Sequence, residues 1–345
     1  MTSGTIRTPK IPFAPPTPWQ EYALAHKRVE NQTSDHFDGE RFYNPGGAAN
    51  APPLSNGFRM LRERRTPWPR HVEVTETRPP ALSGSGIIVT FIGHSTFLIQ
   101  TTAGNILTDP VYSDRASPLS WIGPRRVRQP AVRFNDLPPI AMVLLSHNHY
   151  DHCDVATLAK LADRDDPLVV TALGNAPLVR STGIRRIEEL DWWDRARQSP
   201  VPVLATPAYH FSARGLFDRN RALWCGFIID TPAARIYFAG DSAYGNLFRQ
   251  IRQRSGPIDL ALIPIGAYEP RWFMKAVHMN PDEAMQAHAD LQAQQSLAMH
   301  YGTFPMAMEG IDEPLRRLEE ARRASGVDET AFRALGFGES LRVGG

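Results

Sequence analysis

The hydrophobic pattern changes period along the chain, and the changes mark out its elements. From Gly86 onward, short β-branched runs are punctuated by turns, the signature of strands. Positions 87–92 and 96–100 read as paired strands. Ala103-Gly104-Asn105 then turns the chain into a third strand at 106–108, which Asp109-Pro110 ends. Positions 140–145 are an unbroken apolar run, as expected of a central strand buried on both faces. Over 154–163 the period becomes helical, with Val155, Leu158, Ala159 and Ala162 on one face. Further strands are expected at 168–171, 201–206, 223–229, 235–238 and 260–265, and helices near 245–253, 281–290 and 313–325. Hairpins first, then strands alternating with helices, predict two mixed sheets with helices outside.

The first quarter of the chain has another texture. Twelve of the 30 prolines fall within 1–85, beside Gly46-Gly47, which predicts an irregular Pro-rich N-terminal extension with helices near 19–30 and 57–65. Trp19, Phe37, Phe42, Tyr43, Phe58 and Trp68 make it too aromatic for a solvated tail, so the extension is expected to wrap a core domain at 86–345.

Composition narrows the function classes. Lys+Arg 38 against Asp+Glu 36 gives a net charge of +2, which argues against a nucleic-acid partner. The two cysteines, Cys153 and Cys225, form no C-x-x-C pair, which excludes a disulfide framework and a thiolate zinc site. The run at 140–145 is far shorter than the ~20 residues of a spanning helix. Pro9, Pro12, Pro15, Pro16 and Pro18 stand where a signal peptide needs its apolar core. The expectation is a cytoplasmic chain, at most peripheral to a membrane.

Candidate chemistry gathers directly after the apolar run. Ser146-His147-Asn148-His149-Tyr150-Asp151-His152 places three histidines and an aspartate on a turn leaving a strand. Imidazole nitrogens and carboxylate oxygens are the ligands of a catalytic zinc-type ion that keeps one position open for water. His147 and His149 can aim at one ion, and Asp151 and His152 then point to a neighbouring position. One loop cannot complete two metal shells, so other strand ends must contribute. His210, Asp241 and His300 each stand where a predicted strand stops, Asp241 behind Gly240, which allows close backbone approach.

The pattern His147-x-His149-x-Asp151-His152, then His210, Asp241 and His300, resembles the metallo-β-lactamase fold of binuclear metallohydrolases. More narrowly, the chain resembles the N-acylphosphatidylethanolamine-hydrolysing phospholipase D family. The resemblance is carried by 107–118, Gly123-Pro124-Arg125-Arg126, Leu137-Pro138-Pro139-Ile140, Glu189-Leu190-Asp191-Trp192-Trp193 and His300-Tyr301-Gly302-Thr303-Phe304. The run 263–274 is its most specific part, and Asp35-His36-Phe37-Asp38-Gly39-x-Arg41-Phe42-x-Asn44-Pro45 is a candidate upstream extension. It implies an α/β chain folded as a four-layer αββα sandwich, with 86–345 as the hydrolase domain and two metals at one edge of the sheets. It also implies His147, His149 and His210 on one zinc, Asp151, His152 and His300 on the other, and Asp241 bridging. Iron and manganese are the alternative metals.

The implied activity is hydrolysis of N-acylphosphatidylethanolamine to N-acylethanolamine and phosphatidic acid by hydroxide held between the metals, with Asp151 and Asp241 as catalytic residues. A rival reading keeps the metals and opens a lactone or other ester, since fold does not fix function. A mononuclear iron oxygenase is a further alternative. A non-enzymatic module would be expected to have lost a ligand, and all seven positions are filled. His94 and Asp109 are candidate hydrogen-bonding supports of the ligands. His278, Tyr268 and Trp272 are candidate substrate contacts. Trp121, Trp192, Trp193 and Phe273 are candidate lining for an acyl channel or a membrane-facing surface, and Arg125 and Arg126 for anionic head groups. His288 and Cys153 read as structural. The expected partner is a phospholipid or other small phosphodiester, and membrane contact is transient at most, because no basic amphipathic helix is evident.

Overall fold

The computed structural model describes residues 33–44, 63 and 65–344. The helices expected near 19–30 and 57–65 lie outside the described residues, apart from positions 63 and 65. In chain order the elements are β1 (Ile87–Gly93), β2 (Thr96–Thr101), β3 (Gly104–Thr108), β4 (Ile140–Leu145), α1 (Val155–Arg164), β5 (Leu168–Ala172), α2 (Ala176–Arg180) and β6 (Ile187–Leu190). They continue with β7 (Val203–Thr206), β8 (Gly226–Asp230), β9 (Arg235–Phe238), α3 (Leu247–Ser255), β10 (Leu260–Pro264), α4 (Arg271–Met274) and α5 (Pro281–Leu291). The last are β11 (Gln295–Met299), α6 (Glu313–Ser325), β12 (Phe332–Arg333) and β13 (Ser340–Val343).

The first sheet runs β13-β1-β2-β3-β4-β5-β6 and the second β12-β11-β10-β9-β8-β7. Pairing is antiparallel from β13 to β3 and parallel from β3 to β6, and the second sheet is likewise parallel from β12 to β9 and antiparallel from β9 to β7. Successive strand residues point to opposite faces. Phe91, Phe97, Met142, Leu144 and Val170 therefore meet Phe227, Phe238, Leu262 and Leu297 of the second sheet in the central core. Leu98, Leu107, Val143, Leu145 and Val169 point the other way, against Leu158 and Leu161 of α1. Both faces of β4 are covered, which is why its sequence shows no alternation. On the far side α5 packs against β10, with α3 and α6 beside it, completing the four layers.

Local signals fix the helices. Asp154 caps α1 by accepting from Ala156 N, and its carboxylate also holds the Ser113 N–H at 2.9 Å. Asn280 and Glu283 form a reciprocal capping box at the start of α5. One expected strand is shorter than its apolar run. Positions 223–225 leave the second sheet, since Leu223 N donates to Leu173 O and Cys225 N to Ser146 O, so this stretch reaches the strand ends of the first sheet. Among the described residues no helix is long and apolar enough to cross a membrane.

Candidate metal centre

The loop after β4 is gathered by its own backbone. His152 N and Cys153 N both donate to His149 O, at 3.1 and 2.8 Å, a tight turn that brings four side chains together. His147 Nε2 lies 2.8 Å from His149 Nδ1. Buried Asp109 fastens the loop. One of its carboxylate oxygens accepts from Ser146 N at 2.7 Å, and the other meets Ser146 Oγ at 2.6 Å and His152 Nδ1 at 2.7 Å. With Nδ1 so engaged, His152 presents Nε2 to the cluster. Arg214 adds a second brace, with Nη1 donating to Asn148 O and Cys153 O.

The second sheet contributes three side chains from separate loops. His210 follows β7, and its Nδ1 is held 2.9 Å from Val277 O. Asp241 follows Gly240, where φ is +60° and a Cβ would stand 2.8 Å from Ser146 Cβ, so only glycine lets this loop approach the first. His300 follows β11 with φ +59°, and its N–H donates to His94 O at 2.9 Å. A Cβ on Gly266 would collide with the His300 carbonyl.

These side chains converge. His210 Nε2 is 3.2 Å from His149 Nδ1. Asp241 Oδ2 lies 4.0 Å from His147 Nε2, 3.6 Å from His210 Nε2, 3.1 Å from His152 Nε2 and 3.2 Å from His300 Nε2. One carboxylate oxygen thus faces both halves of the cluster. Asp151 Oδ2 is 3.4 Å from His152 Nε2, 3.3 Å from His300 Nε2 and 3.0 Å from His94 Nε2. The sets His147/His149/His210/Asp241 and His94/Asp151/His152/His300 each offer ligand atoms close enough to share an ion.

The donors fit a cation. His152 Nε2, both ring nitrogens of His300, Asp241 Oδ1, and Nδ1 of His94 and His278 are buried without a hydrogen-bond partner. Orphaned buried polar atoms cost free energy, and six of the sixteen such side-chain atoms among the described residues belong to this one cluster. Burial, reinforced by neighbouring imidazoles, pushes His147 well below the usual histidine range and His149 down to about 3, and burial holds His210 at about 4. These rings are neutral, the ligand form. Burial opposes the charging of His152 and His300 as well, yet facing Asp241 and Asp151 hold His152 well above its ordinary value and His300 at about 9. The same pairings outweigh burial at Asp151 and Asp241 and keep both carboxyls well below theirs. These pairings favour protons on His152 and His300, which a bound divalent cation would displace.

A cavity of about 270 Å³ opens onto the cluster, lined by His149, Asp151, Asp241, His278 and His300 together with apolar side chains. His278 belongs there, its Nδ1 4.0 Å from Asp241 Oδ2. Tyr268 and Trp272 do not line it. Tyr268 is fully buried with its hydroxyl 3.1 Å from Glu313 Oε1, and Trp272 Nε1 donates to Glu63 at 3.0 Å, whereas the neighbouring Phe273 faces the cavity. Arg126 is buried too, donating to the carbonyls of Val111 and Ser113, which removes it from head-group contact. Trp192 is a core residue, its Nε1 on Trp224 O, and Trp193 lies under Arg254. Trp121 is exposed. His288 bonds Ser296 Oγ through Nδ1, and burial pushes the Cys153 thiol up to about 11. Phe211, Met274, Val277 and Met306 line the cavity without any sequence signal, since an apolar side chain in a loop does not declare its direction.

Residues 104–301 match the beta-lactamase superfamily domain. The chain is 35% identical over 328 residues to N-acyl-phosphatidylethanolamine-hydrolyzing phospholipase D 1 of Caenorhabditis elegans, covering 88% of this chain and 92% of that protein. It is 34% identical over 250 residues to the mitochondrial N-acyl-phosphatidylethanolamine-hydrolyzing phospholipase D of Saccharomyces cerevisiae, covering 70% of this chain and 53% of the relative. The isothiocyanate hydrolase from Delia radicum gut bacteria aligns with a TM-score of 0.59 at 20% identity, covering 74% of this chain and 98% of that one, a likeness that shows the fold. Fold and cluster together define a metal-dependent hydrolase of the beta-lactamase superfamily. Within that superfamily, the chain belongs to the family of N-acyl-phosphatidylethanolamine-hydrolysing phospholipases D.

Proposed function

We propose that this chain cleaves the phosphodiester of an N-acylphosphatidylethanolamine as a phospholipase D does, releasing an N-acylethanolamine and a phosphatidic acid. The observation that carries this reading is the make-up of the cavity, where the histidine–aspartate cluster meets Phe211, Phe273, Met274, Val277 and Met306. A polar reacting centre beside apolar walls suits a charged phosphodiester set between hydrocarbon chains. A second cavity of about 340 Å³, largely apolar, adjoins it at Tyr150. Six large apolar side chains are exposed among the described residues, and five of them, Leu119, Trp121, Ile122, Leu216 and Phe217, sit on the two loops that line this second cavity through Pro118 and Gly215. Such a patch suits a transient, peripheral encounter with a lipid surface. The names of the two relatives support the same substrate class.

We assign His147, His149 and His210 to one ion, Asp151, His152 and His300 to a second, and Asp241 to both. Zinc suits this imidazole and carboxylate set, as do iron and manganese. Ions held there would supply Lewis acidity toward a phosphoryl oxygen and a water acidic enough to lose its proton near neutral pH. Asp109 aims His152, and His94 steadies Asp151. Burial holds His278 well below the usual histidine range, and in this reading it lines the cavity to hydrogen-bond a phosphoryl oxygen of the substrate. Water oxygen adds to phosphorus and the bond from phosphorus to the ethanolamine oxygen breaks, so that oxygen must gain a proton. The attacking water gives up that proton, and Asp151, lining the same cavity, relays it to the leaving oxygen.

The test is product analysis with purified, zinc-loaded chain. N-acylphosphatidylethanolamine in mixed micelles should yield N-acylethanolamine, activity should vanish on chelation, and added zinc should restore it. Opening of an acyl-homoserine lactone with no phosphodiester cleavage would replace this reading with that of a carbonyl hydrolase.

A further inference from the structure

We infer that Asn44 is a positioning residue of the metal centre: its side-chain amide fixes the backbone of His210 and thereby aims the His210 imidazole at the cation. The inference rests on the assignment of His210 as a ligand. His210 lies between the end of β7 at Thr206 and the start of β8 at Gly226, so no strand neighbour is available to its peptide groups. It is nevertheless buried, and buried backbone N–H and C=O groups require partners. Asn44, 166 positions away, supplies both. Its Nδ2 donates to His210 O at 3.1 Å, and His210 N donates to its Oδ1 at 3.3 Å. A carboxamide carries a donor and an acceptor side by side, as a neighbouring strand would, and a carboxylate or hydroxyl of the same reach cannot reproduce that pair.

The imidazole is fixed from its other side. His210 Nδ1 meets the Val277 carbonyl at 2.9 Å, which places the proton there and leaves Nε2 as an acceptor facing His149 and Asp241. Backbone and ring are thus held independently, and the lone pair has one direction left.

Asn44 is itself firmly seated. Phe37 and Phe42 are part of the central core, and the His36 ring stacks on Trp192 at 4.3 Å with Nε2 2.7 Å from Asp191. Phe42 N donates to Asn220 O at 2.8 Å and Arg41 Nη1 to Arg219 O at 2.7 Å. Residues 36–44 therefore grip the 210–220 loop at both ends, and Asn44 is the contact that reaches the ligand.

The test uses the full chain, stripped of metal and retitrated against a chromophoric chelator, with cobalt absorption spectra as a report of coordination geometry. Asn44→Ala should bind the ion of the His147/His149/His210 group about 10–100-fold more weakly than the unaltered chain, with shifted cobalt bands, while the other ion is retained. Asn44→Asp keeps the acceptor and loses the donor. It should weaken the same ion, and it decides the matter if Asn44→Ala does not fold. Phe37→Leu loosens the same segment without touching the amide pair and should lower thermal stability while leaving both affinities within about threefold. Unaltered affinities and cobalt bands in both Asn44 variants would overturn the inference. So would a Phe37→Leu variant that weakens the ion as much as Asn44→Ala, since general packing would then explain the effect. If His210→Ala itself leaves metal binding intact, the ligand assignment falls, and this inference with it.

Discussion

The two sheets furnish the centre in opposite ways. The first delivers His147, His149, Asp151 and His152 on one loop behind β4, whereas the second delivers His210, Asp241 and His300 one at a time behind β7, β9 and β11. Their supports differ accordingly. Asp109 and Arg214 brace the first loop as a unit, at Ser146, His152, Asn148 and Cys153. Each side chain of the second sheet has its own device: the Asn44 amide at His210, the missing Cβ of Gly240 at Asp241, and the His94 carbonyl at His300. A braced loop holds or fails as a whole. Dispersed residues can be detuned singly, so the two halves should answer substitution differently.

The largest effect is expected at the atom both halves share. Asp241 Oδ2 lies within 4.0 Å of five imidazole nitrogens, two from the candidate ligands of each half and one from His278. Asp241→Ala should abolish both metal content, measured by elemental analysis, and turnover. A fully metallated, active variant would refute the bridging role and leave two separate sites.

A smaller effect should follow from loosening the braced half. Asp109→Asn retains the size of the side chain but removes the charge that faces His152 Nδ1 and the Ser146 hydroxyl. Because four candidate ligands ride on that loop, both ions should bind about 10–100-fold more weakly, in contrast to the single-ion effect expected at Asn44. Competition titration separates the cases. Weakening of one ion alone would show that the loop does not act as a unit.

The contrast between the halves also explains what could be read from sequence. The 146–152 cluster was legible because β4 is covered on both faces and so reads as an unbroken apolar run, with the polar turn set off sharply behind it. His210, Asp241 and His300 were legible only as strand ends, because nothing local says which ends meet. β6 and β13 escaped notice because Ile187-Glu188-Glu189-Leu190 and Ser340-Leu341-Arg342-Val343 are short edge strands with charged or polar positions. The apolar run at 223–229 reads as one strand, yet its first three residues cross to Leu173 and Ser146, a pairing that depends on tertiary contact alone. Tyr268 and Trp272 pack away from the cavity, which was not legible for a related reason: an aromatic ring in a loop packs equally well inward or toward a cavity. Asn44 is marked in sequence only as part of the upstream stretch of the resemblance, and its role is invisible there because it exists only against a backbone 166 positions away.

The smallest expected effect concerns the remote anchor on which the dispersed half depends. His36 is buried, which alone would lower its pKa, but the carboxylates of Asp191 and Asp35 outweigh burial and raise it above the ordinary histidine value of 6.5. A group whose pKa is higher folded than unfolded stabilises the folded state fully below its unfolded value, and that contribution is lost as pH rises through the folded value. The 36–44 segment should therefore hold more tightly at pH 6 than well above 6.5. Asp35 is exposed and Asp191 partly so, which limits the ion pairs to no more than about 1 kcal/mol. Hydrogen exchange at the Phe42 amide, which donates to Asn220 O, reads the opening directly. After correction for intrinsic exchange, protection should fall with rising pH by less than about tenfold, and His36→Gln should remove the dependence. Protection that is flat with pH, or that rises, would mean that stacking on Trp192 rather than charge holds the anchor, and the His210 side of the centre would then owe nothing to titration of this ring.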